Sequence, residues 1–291
     1  MSEDSTQNET SSASNTFTLS GFADEIDPDL EIQLDLLEEL GIDYFDLRGI
    51  DDTNVLDLHD DDLERIRDAI EEHGLSVSCI GSPIGKIDIT EDFEPHMERF
   101  ERAIEVAKFF DVEYIRIFSY YIPEGDDPAE HRTSVMDRMR WKAKRSEESD
   151  VTLLHENEKD IYGDTAERCR DVLTTVDSPN LRAAFDPANF VEIGVEAYPY
   201  AFTLLAEYID YLHVKDAEMG ERGEIRPAGQ GDGGFNELVH VLEERGFSSF
   251  ASLEPHLAFA GRSTGLSGSE GFKTAVDAFR DVLDDADVNY V

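Results

Sequence analysis

Short apolar runs alternate with longer amphipathic stretches from Phe17 almost to the end of the chain. The runs have the length and residue content of buried strands, and the stretches between them repeat apolar positions at helical spacing. Strands that alternate with helices in this way favour a parallel sheet covered by helices. The predicted strands cover residues 17–21, 44–47, 76–80, 114–118, 151–155, 182–185, 211–214 and 250–253.

The predicted helices fill the gaps between these strands, and the last helix follows the eighth strand. Asp27-Pro28 and Asp127-Pro128 each place an acidic residue before a proline, which favours a helix start at that proline. Gly41, Gly74 and Gly246 follow predicted helices and are typical of helix C-termini. The predicted helices cover residues 28–40, 60–73, 92–109, 128–148, 164–175, 198–207, 234–245 and 268–284.

Eight strand–helix units in one series are typical of a (β/α)8 TIM barrel, which usually takes about 250 residues as a single domain. An open doubly wound sheet has the same alternation. However, no GxGxxG motif follows the first strand, which disfavours a dinucleotide-binding fold. The sequence therefore predicts one TIM barrel domain over residues 17–291. Residues 1–16 almost lack large apolar side chains and are predicted to form a disordered tail.

The composition adds a strong negative charge to this picture. Asp and Glu number 67 against 25 Lys and Arg, which gives a formal net charge of −42. Like charges at this density destabilise a compact state, whereas molar salt shortens the Debye length to about 3 Å and screens the repulsion. The sequence therefore predicts a halophilic protein whose surface repels nucleic acid and anionic membranes. An ordinary acidic protein is the alternative.

The sequence also predicts a cytoplasmic location. No stretch approaches the roughly 20 apolar residues of a membrane span, and the N-terminus lacks the order of basic and apolar segments of a secretory signal. The two cysteines, Cys79 and Cys169, lie far apart in the chain. This spacing disfavours a disulfide framework and fits a reducing compartment.

Ionisable residues recur directly after the predicted strands, where a barrel places its active site. Because side chains alternate in direction along a strand, Glu156, His213 and Glu254 can all point into the barrel mouth, and His155 should face the helices. Asp186 can join them from the sixth strand. Three carboxylates and an imidazole would repel unless a cation lay between them. The set suits Mn²⁺, Mg²⁺ or Co²⁺, and Zn²⁺ is possible.

Four segments, LHENE, AFDPANF, YLHVKD and SLEPH, resemble in order and spacing the sugar phosphate isomerase/epimerase family of xylose isomerase-like TIM barrels. Upstream, DEIDPDLEIQLDLLEELGIDYFDLRGI, GSPIGK and RIFSYY extend the resemblance over nearly all of residues 17–285. The resemblance implies one divalent metal ion bound by Glu156, Asp186, His213 and Glu254. It also implies that Glu156 and Glu254 are catalytic, since in the family's epimerases the two glutamates exchange protons with opposite faces of a metal-stabilised enediolate.

One position departs from the family's pattern. Ketose epimerases of this superfamily usually carry a histidine three residues after the sixth-strand aspartate, and this chain has Asn189 there. An amide can hold a hydroxyl group but cannot take a proton. The departure leaves the metal site unaffected and leaves both the reaction and the substrate open.

The leading functional prediction is a metal-dependent isomerase or epimerase that acts on a small sugar or sugar phosphate. A divalent ion stabilises the charge that develops when a proton is removed next to a carbonyl, and a carboxylate on each side can move the proton. The alternative is a dehydratase of the inosose or dehydroshikimate type on the same barrel. A phosphodiesterase related to apurinic endonucleases is disfavoured by the charge and by few histidines. An intact ligand set disfavours a non-catalytic sugar-binding barrel.

Further candidates lie at the same strand ends and in two other segments. Arg48, Arg116 and Lys215 could hold substrate hydroxyl, carboxylate or phosphate groups, or could pair with the acidic rim. The glycine-rich residues 229–234 could bind phosphate through backbone amides, or could form a plain turn. The basic segment 131–145 could pair with another subunit of a homo-oligomer, or could be a solvated helix face. The predicted substrate-binding residues are Arg48, Arg116, Glu158, Asn189, Lys215 and His256.

Overall fold

A computed structural model of the protein describes residues 16–220, 224–258 and 266–291. The predicted tail therefore lies outside the described residues except for Thr16. Within the described residues, eight parallel strands form one sheet. These strands are β1 (Thr18–Gly21), β2 (Tyr44–Leu47), β3 (Ser76–Ile80), β4 (Tyr114–Ile117), β5 (Thr152–Glu156), β6 (Leu181–Phe185), β7 (Ile209–Val214) and β8 (Phe250–Leu253).

The sheet closes into a barrel. Its hydrogen-bonded order runs from β1 through β8, β7, β6, β5, β4 and β3 to β2. A parallel bridge between Phe22 and Asp46 then connects the ends of β1 and β2. The TIM barrel prediction is confirmed. The predicted bounds of β2, β3 and β8 agree with the structure, β5 is shifted by one residue at both ends, and the other strands differ by one or two residues at one end.

Helices surround the barrel as the alternation predicted. Among the described residues, no helix combines the length and apolar character that crossing a membrane requires. The helices are α1 (Leu30–Leu40), α2 (Asp60–His73), α3 (Glu94–Phe109), α4 (Pro128–Ser149), α5 (Ala166–Val176), α6 (Pro187–Glu192), α7 (Phe202–Leu205), α8 (Phe235–Glu244) and α9 (Gly268–Asp285).

The helix ends follow local capping chemistry. The start of α4 is confirmed, because the Asp127 carboxylate accepts a hydrogen bond from the backbone amide of Ala129 and a proline follows it. The expected start of α1 at Pro28 is wrong, since Asp29 caps this helix instead and accepts hydrogen bonds from two amides of its first turn. Gly41 and Gly74 end α1 and α2 with φ angles of 64° and 68°, as predicted.

Two further differences lie near the mouth of the barrel. The helix predicted over residues 198–207 is regular only from Phe202 to Leu205, because Tyr198 has an extended backbone (φ −124°, ψ 134°). The short helix α6 begins within the AFDPANF segment, ends two residues beyond it and was not predicted. The loops after β2 and β7 also contain small hairpins, formed by Gly49–Ile50 with Thr53–Asn54 and by Asp216–Glu218 with Glu224–Arg226.

The apolar core lies mainly between the barrel and its helices. A second, smaller cluster contains the buried side chains of Cys79, Leu154, Ala184 and Tyr211. Polar groups adjoin it, because hydroxyl groups of β1, β3 and β8, together with that of Tyr211, surround the buried carboxylate of Asp46. The barrel therefore has a polar interior layer where branched apolar side chains are usual.

The last residues of the chain complete the sheet at the base of the barrel. Phe17 donates a backbone hydrogen bond to Asn289 O at 2.9 Å, and Leu19 donates one to Val291 O at 2.8 Å. Val291 donates in return to Phe17 O at 2.9 Å, and Phe17 pairs with Tyr290 in a parallel bridge. The beginning of β1 is thus held by the segment that follows α9.

Candidate active site

Four ionisable side chains converge at the mouth of the barrel. Glu156 ends β5, Asp186 follows β6, His213 lies in β7 and Glu254 follows β8. All four are buried, and one potential ligand atom of each lies within 4.8 Å of the others. His213 Nδ1 is 3.5 Å from Glu156 Oε1 and 3.9 Å from both Asp186 Oδ2 and Glu254 Oε2. The structure therefore brings together the four predicted ligands, which we call the ligand cage.

Local structure fixes how Asp186 enters the ligand cage. Asp186 is the N-cap of α6, and its Oδ1 accepts a hydrogen bond of 2.9 Å from the backbone amide of Asn189. The backbone amide of Asp186 donates to Asn157 Oδ1, and Asn157 Nδ2 donates back to the Asp186 carbonyl at 2.9 Å. With Oδ1 and the backbone held, Oδ2 is the oxygen that faces the other ligands.

The cage contains two buried polar atoms that fit a metal ion. Among the described residues, neither His213 Nδ1 nor Asp186 Oδ2 has a hydrogen-bond partner. Lys215 Nζ lies 2.8 Å from Asp186 Oδ2 as an ion pair, although without hydrogen-bond geometry. Buried polar atoms are normally satisfied, and a divalent cation would satisfy both atoms as ligands. Three carboxylates with one imidazole are a donor set that Mn²⁺, Mg²⁺ or Zn²⁺ accepts.

The pKa shifts within the cage reflect burial, repulsion between the acids and attraction to nearby positive charges. Burial raises the pKa of Asp186, and the nearby charge of Glu156 adds to the effect despite Lys215. Burial alone would also raise the pKa of Glu156, but the positive charges of His213 and Arg116 outweigh it and lower the pKa. Burial would lower the pKa of His213, and the carboxylates around it raise the pKa instead. A divalent cation would relieve this repulsion among the acids.

Three cationic side chains surround the cage and pair with its acids. Arg116 Nη1 donates to Glu156 Oε2 at 3.1 Å, and Arg48 Nη1 donates to Glu254 Oε1 at 2.7 Å. Lys215 Nζ donates to Glu254 Oε2 at 3.3 Å. Of the two roles that the sequence left open for these cations, the structure displays the ion pairs.

A cavity of about 230 Å³ opens beside the ligand cage. Five of the six predicted substrate-binding residues line it, namely Arg48, Arg116, Glu158, Lys215 and His256. Lys86 also lines the cavity, where its ammonium group lies 3.0 Å from Glu158 Oε2 and 4.3 Å from the centre of the Phe118 ring. The sequence showed Lys86 at a strand end, but nothing there distinguished it from a lysine that only solubilises the surface.

Asn189, the sixth predicted substrate residue, lies behind the ligand cage and is not on the cavity wall. Its side-chain amide donates to Glu156 Oε1 at 3.1 Å and to the backbone oxygen of Asn157 at 2.8 Å. Both hydrogens of the Asn189 side-chain amide therefore form hydrogen bonds within the protein. Asn189 thus orients Glu156 in this structure, and its role in substrate binding stays a prediction.

His256 joins the site through Glu25, which the sequence did not single out. The backbone amide of His256 donates to Glu25 Oε2 at 2.7 Å, and its ring nitrogen Nε2 lies 3.2 Å from Glu25 Oε1. Burial and Lys215 would lower the pKa of His256, but the carboxylates of Glu25 and Glu254 together outweigh them and raise it to about 9. This contact could not be read from the sequence, because Glu25 and His256 lie at opposite ends of the chain.

The glycine-rich residues 229–234 do not form an open phosphate site. The backbone amides of Gly229, Gly231 and Gly233 each donate to the carboxylate of Asp216 at 2.9 Å. A carboxylate of this same chain thus occupies the amides that could have received an anion. Of the two alternatives that the sequence left open, these contacts favour the plain turn, which is tied to the end of β7.

We expect Asp216→Asn to lower the free energy of unfolding by about 2–4 kcal/mol, because the new NH₂ group faces amide donors and leaves them unsatisfied. Urea denaturation measures this change. Asp232→Asn in the same loop is the matched control, since the Asp232 carboxylate is exposed and accepts a hydrogen bond from Met219. Equal stability of the two variants would show that the Asp216 contacts are energetically unimportant.

The basic segment 131–145 finds its partners within the chain. Arg132 pairs with Asp171 at 2.6 Å, and Arg145 pairs with Glu101 at 2.7 Å. Lys142 is buried and donates to the backbone oxygen of Phe118 at 3.2 Å. These contacts support a helix face paired within one chain, and a homo-oligomer remains a prediction.

The protein is a TIM barrel with buried ionisable side chains at its mouth, which is where TIM-barrel enzymes have their active sites. A family model described as xylose isomerase-like TIM barrel matches residues 34–282. The chain therefore belongs to the xylose isomerase-like TIM barrel family, whose members are enzymes that include isomerases, epimerases and dehydratases. A curated relative, 3-dehydroshikimate dehydratase of Bacillus anthracis, is 25% identical over 232 residues, which cover 74% of this chain and 81% of that protein.

Solved structures share the architecture at lower sequence identity. The IolI protein with a bound zinc atom has a TM-score of 0.76 at 19% identity, covering 93% of this chain and 99% of that chain. A D-tagatose 3-epimerase-like protein has a TM-score of 0.74 at 16% identity, covering 93% of this chain and 98% of that chain. At these identities the likeness shows a common fold and leaves the reaction to be argued from the site.

Proposed function

We propose that this protein is a metal-dependent enzyme that transfers a proton at a carbon next to the carbonyl group of a small, sugar-like substrate. The observation that carries the proposal is the buried ligand cage, in which His213 Nδ1 and Asp186 Oδ2 have no hydrogen-bond partner among the described residues. Glu156, Asp186, His213 and Glu254 would hold one divalent ion. The bound ion would supply a Lewis acid that stabilises negative charge on a substrate oxygen.

Glu156 and Glu254 are the proposed proton-transfer groups. They come from β5 and β8, so that their carboxylates approach the cavity from different strands of the mouth. Arg116 and Arg48 each donate a charge-assisted hydrogen bond to one of them, which favours the ionised form that a base requires. Asn189 donates to Glu156 and keeps that carboxylate oriented.

The cavity supports a small polyhydroxylated substrate. Its volume of about 230 Å³ has room for a molecule of monosaccharide size. Lys86, Glu158 and His256 line it with hydrogen-bonding side chains, some basic and one acidic. These side chains suit a substrate that has hydroxyl groups together with a carboxylate or a phosphate. We propose Mn²⁺ or Mg²⁺ as the metal, with Zn²⁺ or Co²⁺ as alternatives. The charge of the chain supports a salt-rich cytoplasm as its location.

Two reactions begin with this proton abstraction. Isomerisation or epimerisation returns a proton to the substrate, and the two glutamates at the mouth favour it. Dehydration expels a hydroxyl group instead, and the 25% identity to 3-dehydroshikimate dehydratase favours it as the second candidate. His256 Nε2, which lies 3.6 Å from Glu254 Oε1, can place a hydrogen-bond donor beside the departing hydroxyl group.

Solvent-deuterium exchange tests the shared step. Purified protein loaded with Mn²⁺ or Mg²⁺ at high salt is incubated in D₂O with a panel of ketoses, sugar phosphates, inososes and 3-dehydroshikimate. We expect loss of a carbon-bound proton signal by NMR for at least one class, and no exchange after chelation of the metal. A new epimer or isomer would identify the first reaction, and an unsaturated product absorbing in the ultraviolet would identify the second. Exchange at full rate without metal would refute the proposal.

A further inference from the structure

A buried carboxylate that the proposed chemistry does not use lies inside the barrel, below the ligand cage. Asp46 Oδ2 lies within hydrogen-bond distance of Ser20 Oγ at 2.9 Å, of Ser78 Oγ at 3.3 Å and of the hydroxyl of Ser252. The Tyr211 hydroxyl lies 3.1 Å and 3.0 Å from the two carboxylate oxygens. Ser20 and Ser78 also share a hydrogen bond of 2.6 Å, so that one of these two donates to the other. Hydroxyl groups from four other strands thus surround one carboxylate, an arrangement that stabilises its charged form.

This carboxylate lacks a cation partner of its own. Within residues 16–220, 224–258 and 266–291, no lysine or arginine forms an ion pair with Asp46. Burial raises the pKa of Asp46, while the charge of His213 and the surrounding hydroxyl groups oppose the rise. A buried charge without a partner is strongly unfavourable, and barrel interiors are usually filled by branched apolar residues. A positive charge above Asp46 would compensate for it.

The donors around Asp46 connect it to two members of the ligand cage. Tyr211 precedes His213 by two residues on β7, and Ser252 precedes Glu254 by two residues on β8. Because side chains alternate along a strand, Tyr211 and His213 share the inward face, as do Ser252 and Glu254. Ser252 and His213 are also register partners in the β7–β8 pair. The layer around Asp46 therefore lies one inward position below the ligands.

We propose that Asp46 is a positioning residue of the metal site. Its negative charge strengthens the binding of the divalent ion above it, and its hydrogen bonds to Tyr211 and Ser252 fix the strands that present His213 and Glu254. This inference rests on the proposed metal-dependent function. It goes beyond that function by assigning part of the metal affinity to a residue that contacts neither the ion nor the substrate.

The test is Mn²⁺ binding to the full chain, measured by titration calorimetry. Asp46→Asn keeps the shape of the side chain and removes its charge, and the neighbouring hydroxyl groups can rotate to accept from the new amide. We expect the affinity for Mn²⁺ to fall by about tenfold or more. The melting temperature of the metal-free protein should stay level or rise, because the variant no longer buries an uncompensated charge.

A merely structural role predicts the opposite pattern. In that case Asp46→Asn would lower the melting temperature of the metal-free protein and leave the Mn²⁺ affinity within twofold of the wild type, and this result would overturn the inference. The control is Asp171→Asn on α5, whose carboxylate also accepts from a tyrosine hydroxyl and a threonine hydroxyl but pairs with Arg132 and lies outside the barrel. This control should lose stability and keep its metal affinity.

A second variant decides the matter if Asp46→Asn fails to fold. Tyr211→Phe removes the phenol hydroxyl that donates to Asp46 and leaves a ring of the same shape. Since the ionised carboxylate is then less stabilised, we expect a smaller fall in Mn²⁺ affinity, about threefold or more. Unchanged affinity would overturn the inference. Wild-type protein that binds no divalent ion would refute the proposed function itself, whereas tight wild-type binding with unaffected variants refutes only the role of Asp46.

Discussion

Replacing Glu156 with glutamine is expected to lower turnover by roughly a thousandfold or more, because the change removes the carboxylate that we propose as both a proton-transfer group and a metal ligand. In the structure one oxygen of Glu156 accepts from Arg116 and the other from Asn189. The NH₂ group of a glutamine would therefore face a donor in either orientation. We also expect a loss of about 1–3 kcal/mol in the free energy of unfolding from the unsatisfied buried donor.

The measurement combines steady-state kinetics, metal content and thermal unfolding of Glu156→Gln. Glu113→Gln is the matched control, since Glu113 lies at the other end of the barrel and its carboxylate accepts from the Thr152 hydroxyl at 3.2 Å. The control should retain wild-type turnover and metal content. A Glu156→Gln protein that keeps its metal and at least a tenth of the wild-type turnover would remove Glu156 from both of its proposed roles.

Lowering the salt concentration is expected to produce the second large effect. With a formal net charge of −42, most acidic residues have no basic residue with which to form an ion pair. The first turn of α2 alone contains three consecutive acidic residues, Asp60, Asp61 and Asp62. At about 0.1 M salt the Debye length is about 10 Å, so neighbouring surface carboxylates repel one another, whereas molar salt screens them. We expect the free energy of unfolding to fall by roughly 3 kcal/mol or more between these conditions.

Urea denaturation across a series of KCl concentrations measures this effect. Potassium sulfate at equal ionic strength is the control, because sulfate also stabilises proteins through exclusion from their surface. Screening predicts similar curves for both salts, with most of the gain complete near molar ionic strength. A stability in KCl that stays constant down to low salt would contradict the predicted adaptation to a salt-rich cytoplasm.

The elements that the sequence predicted well are those whose limits are set locally. The strand β3 agrees at both ends, because an apolar run stands between Gly74 and Gly81. The helix predicted over residues 198–207 was wrong over its first part, because an apolar pattern alone does not report the extended backbone at Tyr198. The short helix α6 was missed because its residues were interpreted as a strand end and a metal motif.

The candidate site likewise has side chains whose convergence the sequence predicted and contacts that it did not predict. Strand alternation was enough to bring Glu156, His213 and Glu254 together, because the direction of a side chain on a strand is a local property. The contacts that orient these ligands depend on loops and on distant segments. Asn189 turns toward Glu156 only because α6 begins directly after its N-cap, Asp186, and Glu25 meets His256 only when the barrel closes. Such contacts could not be predicted from the spacing of motifs.

The pairing at the base of the barrel has a mechanical consequence. Residues 289–291 run parallel to the beginning of β1 and exchange three backbone hydrogen bonds with it. Opposed forces that pull on Thr16 and Val291 would load these bonds along the strands, so that all of them must break together. A motor protein that unfolds its substrates by pulling on the chain would therefore first have to break this pairing between residues 289–291 and β1, far from the mouth of the barrel.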